Sequence, residues 1–229
     1  MPLIQRAAFI ASLLLLATAI GGLLWHRLYR LCYTFTAWLA AVWVTDGLMF
    51  LWPARFYTWS FWLAKETALA ALKVAIALEI ISLAYQAFPQ ARAAARRLTL
   101  GLLLAILALL LVGVPWGGYL PTLAVELQRR VANGVALIFC GVWGLVLYYR
   151  LPMHALHRAI LSGLAGYLIV FTATNTLPLE LGWEVRQSAN VVDAIAWAAV
   201  VSYWAWVAWR PQPAPSEFMR GLQPWRARA

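Results

Sequence analysis

Five ionisable residues fall inside otherwise apolar stretches of the chain: Asp46, Glu66, Lys73, Glu79 and Asp193. Residues of these types move protons, hold charged ligands or pair with one another. Inside a bilayer each costs roughly 3 kcal/mol unless paired or hydrated, so their positions carry the most information. Helix 33–52 and helix 66–86 read as consecutive antiparallel spans. At a rise of about 1.5 Å per residue, Asp46 and Lys73 then lie at nearly the same depth, slightly outside the midplane. The spacing predicts an ion pair between Asp46 and Lys73. Glu66 stands seven residues before Lys73, two turns along the same face. Asp193 lies about 9 Å outside the midplane of its own segment. Asn175 and Asn190 fall near the outer ends of neighbouring segments, with Thr172 and Thr174 beneath Asn175.

Together, Asp46, Glu66, Lys73, Asn175, Asn190 and Asp193 define an intramembrane polar cluster that opens outward. Two readings of it stay open. One is a binding site for a small polar or zwitterionic ligand. The other is structural: one ion pair plus interhelical hydrogen bonds. Glu79 stands apart in the inner half and is expected to meet an inner-loop arginine such as Arg30, or a proton path.

Metal and redox chemistry have little to build on. The three histidines are His26, His154 and His157. His154 and His157 have a minimal metal-ligand spacing, i and i+3, but no third ligand is evident. They are expected as amphipathic histidines at the cytoplasmic rim, with no metal and no cofactor. Cys32 and Cys140 lie at different depths and fit neither a disulfide nor a metal pattern. A b-type haem needs histidines within the helices, and none has a central one. A retinal Schiff base needs a lysine in the last helix, which has none. No nucleophile elbow, P-loop or G-x-G-x-x-G is present, so a non-enzymatic role is expected.

The elements that must position these residues follow from composition. Of 229 residues, 64% are hydrophobic and 11% charged, against about 25% charged in a soluble domain. Each span of a hydrocarbon core of roughly 30 Å takes about 20 apolar residues. Seven segments qualify: 7–25, 33–52, 66–86, 98–115, 131–149, 159–177 and 189–209. The expected fold is therefore an all-α membrane protein, a bundle of seven transmembrane helices. The first segment has a signal-like Ala17-Thr18-Ala19, but its apolar run continues to Trp25, and it reads as helix 1. Residues 120–130 are compatible with a short surface helix. Residues 210–229, rich in Pro and Arg, read as a cytoplasmic tail.

The net charge of +10 mostly encodes orientation. Arg27, Arg30, Arg92, Arg96, Arg97, Arg150, Arg158, Arg210, Arg220, Arg226 and Arg228 fall on one side. The other side holds Arg6, Arg55, Lys65, Arg129, Arg130 and Arg186. The richer side is expected to be cytoplasmic, with the N-terminus outside and the C-terminus inside. Arginines scattered beside helix ends point to the bilayer and its anionic lipid, not to nucleic acid. The excess of Arg over Lys suits a GC-rich bacterial genome and an inner-membrane location. The outer loops carry Trp52, Phe56, Tyr57, Trp59, Phe61 and Trp62, a pattern of interfacial belts or of an aromatic ligand wall.

The string Tyr57-Thr-Trp-Ser-Phe-Trp-Leu-Ala-Lys-Glu66, followed by Glu79-Ile80 and preceded by Leu28-Tyr29-Arg30, resembles uncharacterised bacterial seven-transmembrane-helix integral membrane proteins of about this length. The resemblance covers helices 1 to 3. It implies a bacterial origin and a fold, and no activity.

Three functions fit. A sensor or accessory protein would receive a ligand in the outer cluster and relay its state through the basic inner loops to a membrane or cytoplasmic protein partner. A small-solute transporter would use the same charges. A structural subunit would dock through the Leu-rich segment 98–115.

Overall fold

A computed structural model of the chain describes residues 3–84, 101, 120–148 and 153–211. Seven helices form among them: α1 Leu3–Trp25, α2 Tyr33–Leu51, the single turn α3 Pro53–Phe56, α4 Trp59–Ala84, α5 Leu120–Tyr148, α6 Ala155–Leu181 and α7 Arg186–Trp209. No strand occurs among the described residues. Tyr33–Leu51, Gln128–Tyr148, Ala155–Pro178 and Arg186–Trp209 are long and apolar enough to cross a membrane. The expected helix at 98–115 lies outside the described residues, Gly101 apart, as do most of the 210–229 tail and inner loop 87–97.

Helix ends shift for local reasons. The expected start at residue 66 moves to Trp59. Thr58 opens α4: its hydroxyl accepts the Phe61 amide and its carbonyl the Trp62 amide, as an N-cap threonine does. This puts Lys65 inside the helix instead of in a loop. The expected surface helix at 120–130 is not separate; it continues into α5 without a break. Pro53 begins α3 at a first-turn position, where its missing N–H costs nothing. Arg27 adopts a left-handed backbone, φ 55°, and turns the chain between α1 and the short 3-10 turn Leu28–Arg30.

Six helices close a ring. α1 packs on α2, α2 on α4, α4 on α5, α5 on α6, α6 on α7, and α7 returns to α1. The closing seam is tight. The Trp209 indole donates to the Thr18 carbonyl at 3.0 Å, and His26 meets the Trp209 ring edge-on. A methyl group added at Gly22 would lie 2.9 Å from the Ala208 side chain. Close approach there requires glycine.

Each helix turns one stripe inward. Leu16, Ala19 and Leu23 do so on α1; Phe35, Trp38, Leu39 and Val42 on α2; Leu69, Ile76 and Ile80 on α4. Phe139 and Val142 follow on α5, Ile160, Leu164 and Leu168 on α6, and Val201, Trp204 and Ala208 on α7. They form one continuous core. The outward faces remain apolar, with Leu14, Val44, Leu137, Ile169 and Ile195 exposed. Helices apolar on both faces suit a lipid surround.

Candidate functional site

The charged residues singled out in the sequence continue these inward stripes. Asp46 is one turn beyond Val42 on α2. Lys73 stands between Leu69 and Ile76 on α4, with Glu66 a further two turns along. Asp193 lies one turn from buried Ala189 and one from Trp197 on α7. At helical spacing these side chains face the core. They gather toward the end of the ring opposite the α1–α2 turn.

The pairing differs from expectation. Asp46 takes its salt bridge from Lys65, at 2.6 Å between Nζ and Oδ1. Lys65 Nζ also lies 3.9 Å from the Met49 sulfur. Lys73 instead places its ammonium 6.0 Å from the centre of the Trp38 ring. Among the described residues it makes no hydrogen bond and no ion pair; its electrostatic neighbours are Glu66 and Lys65. The reason is register. Asp46 faces Lys65, Trp38 faces Lys73, and Cys32 faces Glu79. An Asp46–Lys73 pair would require α4 to slide by eight residues, about 12 Å. The earlier start of α4 makes the difference.

The ring brings Asp46, Glu66 and Asp193 around a further side chain, Tyr167 on α6, which no motif in the sequence marks. All three carboxylates are its electrostatic neighbours, and its hydroxyl makes polar contact with Asp193. The periodic stripe of α6 around Leu164 and Leu168 was a signal that could have found it. Below lies an aromatic row. Tyr167 meets Trp197 at 5.0 Å between centroids, Trp197 meets Trp38 at 6.0 Å, and Trp38 meets Trp204 at 5.8 Å and Phe35 at 6.1 Å. The Trp204 indole donates to the Ala159 carbonyl at 3.0 Å. Trp38 Nε1, Thr172 Oγ1 and Asp193 Oδ1 are buried without a hydrogen-bond partner among the described residues.

Two expected members stay outside the cluster. Asn175 is exposed and folds back on its own helix, donating to the Phe171 carbonyl at 2.7 Å. Asn190 is exposed on α7. Both lie near the end of their helix, beyond the residues of the continuous core.

A second polar node occupies the other end. The Glu79 carboxylate does not meet Arg30, whose guanidinium instead reaches the Tyr29 hydroxyl. Glu79 accepts the Tyr33 amide at 3.1 Å, the Thr34 amide at 3.0 Å and the Cys32 thiol at 3.3 Å, together with the Thr34 hydroxyl. The first amides of a helix have no partner of their own. Here a carboxylate from α4 caps α2, where the helix dipole also favours negative charge. Burial and the nearby Glu79 charge push the Cys32 thiol up to about 12.

His154 and His157 are buried, not displayed at a rim. His154 Nδ1 accepts the Leu156 amide and caps α6. His157 Nε2 donates to the Leu31 carbonyl at 3.0 Å. Each imidazole thus has a ring nitrogen engaged with backbone. No group of three His, Cys, Asp or Glu is placed to hold a metal among the described residues. Cys32 and Cys140 are both free thiols.

Comparison with protein-family models, with curated proteins and with solved structures finds no match.

Proposed function

We propose that the chain is a non-enzymatic membrane sensor or accessory protein that receives a small ligand between α2, α4, α6 and α7. The observation that carries this reading is the Lys73 ammonium. It faces the core against Trp38 and makes no ion pair or hydrogen bond among the described residues. A charge so placed is costly until an anionic group reaches it. The Asp46–Lys65 bridge shows that the same helix pair can satisfy a lysine when its register allows.

In this reading the chain makes seven spans of a bacterial inner membrane. Arg27, Arg30, Arg158 and Arg210 mark the cytoplasmic end, and the ligand enters from outside. A transporter is less well supported. Phe35, Trp38 and Trp204 fill the core between the Lys73 cluster and the Glu79 node, and the described residues offer no polar lining from one to the other. Relay to the cytoplasmic end runs through α4 instead. That helix carries Lys73 and, six residues on, the Glu79 carboxylate that holds the α1–α2 turn. A membrane or cytoplasmic partner would read the turn, and anionic lipid would meet the surrounding arginines.

The test is native mass spectrometry of the full chain in lipid nanodiscs drawn directly from the expressing membrane. Wild type is expected to retain a bound small molecule that Lys73→Met loses. A wild type that holds nothing, with Lys73→Met raising its melting temperature, would mark Lys73 as a mere unpaired charge and overturn the reading.

A further inference from the structure

The unpartnered atoms around the aromatic row specify a ligand by type. Trp38 Nε1 is a donor only, and so is the Lys73 ammonium. Both belong to one end of the row, since the Lys73 nitrogen stands over the Trp38 ring. Asp193 Oδ1 is an acceptor without a donor among the described residues. It belongs to the other end, beside Tyr167 and one helical turn from Trp197. Buried polar atoms left unpaired, such as Trp38 Nε1 and Asp193 Oδ1, are costly, and a core-facing charge without an ion pair, such as the Lys73 ammonium, adds to that cost. A molecule that satisfied all three would recover that cost.

The row itself sets the two ends: the Trp38 and Trp197 rings are 6.0 Å apart and the Trp197 and Tyr167 rings 5.0 Å apart between centroids, with Lys73 over the first ring and Asp193 against the last. Between them stand the faces and edges of Trp38, Trp197 and Tyr167. Ring faces and edges of this kind favour a flat apolar body.

We propose that the site takes an elongated zwitterion: a carboxylate at one end for Lys73 and Trp38 Nε1, a flat apolar spacer along the row, and an ammonium at the far end for Asp193. This names the ligand class for the site on which the proposed function rests. An α-amino acid fits poorly, because its two charges are borne on one carbon and cannot reach both ends.

The probe is 4-(aminomethyl)benzoate, which holds the two charges on opposite sides of a flat ring. Benzoate, benzylamine and phenylalanine serve as comparisons, all against full-length protein in nanodiscs by thermal unfolding and by titration. The zwitterion is expected to bind at least tenfold more tightly than benzoate, benzylamine or phenylalanine. Lys73→Met is expected to abolish the response to benzoate and weaken the zwitterion at least tenfold. Asp193→Asn is expected to do the same for benzylamine and the zwitterion. Trp38→Phe keeps an aromatic face and removes the indole N–H; it is expected to weaken the zwitterion several-fold, and it serves if either charge variant fails to fold. The proposal is overturned if 4-(aminomethyl)benzoate gives no shift, if phenylalanine matches it, or if its binding survives both charge substitutions. If all four probes fail while a small molecule is retained in native nanodiscs and lost in Lys73→Met, the ligand class is wrong and the receiving site stands. If nothing is retained either, both fall.

Discussion

Asp46 on α2 is neutralised by Lys65 of α4 at 2.6 Å, and Lys73 on the same helix is left facing Trp38. The two lysines of α4 are therefore unequal in energy. A double-mutant cycle with Asp46→Asn and Lys65→Met is expected to give a coupling of about 1–3 kcal/mol, as for charges in contact. The matching cycle with Lys73→Met is expected to give less than about 0.5 kcal/mol. Reversible unfolding in mixed micelles measures both. Coupling to Lys73 as large as to Lys65 would mean that the register is wrong.

Glu79 is expected to be the most sensitive position at the opposite end. Its carboxylate receives two amides, a thiol and a hydroxyl from Cys32, Tyr33 and Thr34. Glu79→Ala strands all four donors and is expected to cost at least about 2 kcal/mol. Glu79→Gln retains one acceptor oxygen and is expected to cost clearly less. Thermal unfolding of the two variants side by side checks the order.

The Cys32 thiol gives a pH signature. Its ordinary value is 9.0, and in the folded protein burial and Glu79 raise it to about 12. Above pH 9 the unfolded chain releases this proton while the folded chain keeps it, so folding stability falls as pH rises. The contribution is fully present below pH 9 and is lost progressively up to about 12, with a slope of at most about 1.4 kcal/mol per pH unit. Cys32→Ser is expected to remove that component from a stability profile taken across this window. The same burial, with only 1% of the residue exposed, predicts that iodoacetamide labels Cys32 slowly at pH 8 until the protein is unfolded.

Glycine packing separates two neighbouring sites on α6. A Cβ at Gly163 would lie 2.5 Å from the Trp204 Nε1 and 2.8 Å from a Val200 methyl, whereas one at Gly166 would meet nothing within 4 Å. Gly163→Ala must push Trp204 off its hydrogen bond to Ala159 and is expected to cost about 1–3 kcal/mol. Gly166→Ala is expected to be neutral or slightly stabilising. Equal melting temperatures for the two variants would refute the α6–α7 packing.

The helical class and most helix positions were legible because apolar run length is a local property. Segments 33–52 and 189–209 match α2 and α7 to within three residues. Which residues face the core was legible in part for the same reason: Asp46, Glu66, Lys73 and Asp193 keep the spacing of buried neighbours. Asn175 and Asn190 keep that spacing too, but they lie near helix ends beyond the continuous core and are exposed, and Asn175 closes on its own helix.

Partner identity was not legible. The sequence placed Asp46 near Lys73 by measuring each helix from its own ends, and a shift in the start of α4 moved the contact to Lys65. The Glu79 cap, the buried roles of His154 and His157, and Tyr167 among three carboxylates all depend on which helices adjoin and how far each slides along its neighbour. By itself the sequence determined that the chain is helical, strongly apolar and sparing with buried charge, since these follow from the cost of leaving polar groups in an apolar surround. Only the tertiary structure decided that α7 closes onto α1, and that Asp46 pairs with Lys65 while Lys73 faces Trp38. Register between helices comes from side chains interlocking across long stretches of sequence, and no short window of residues contains that information.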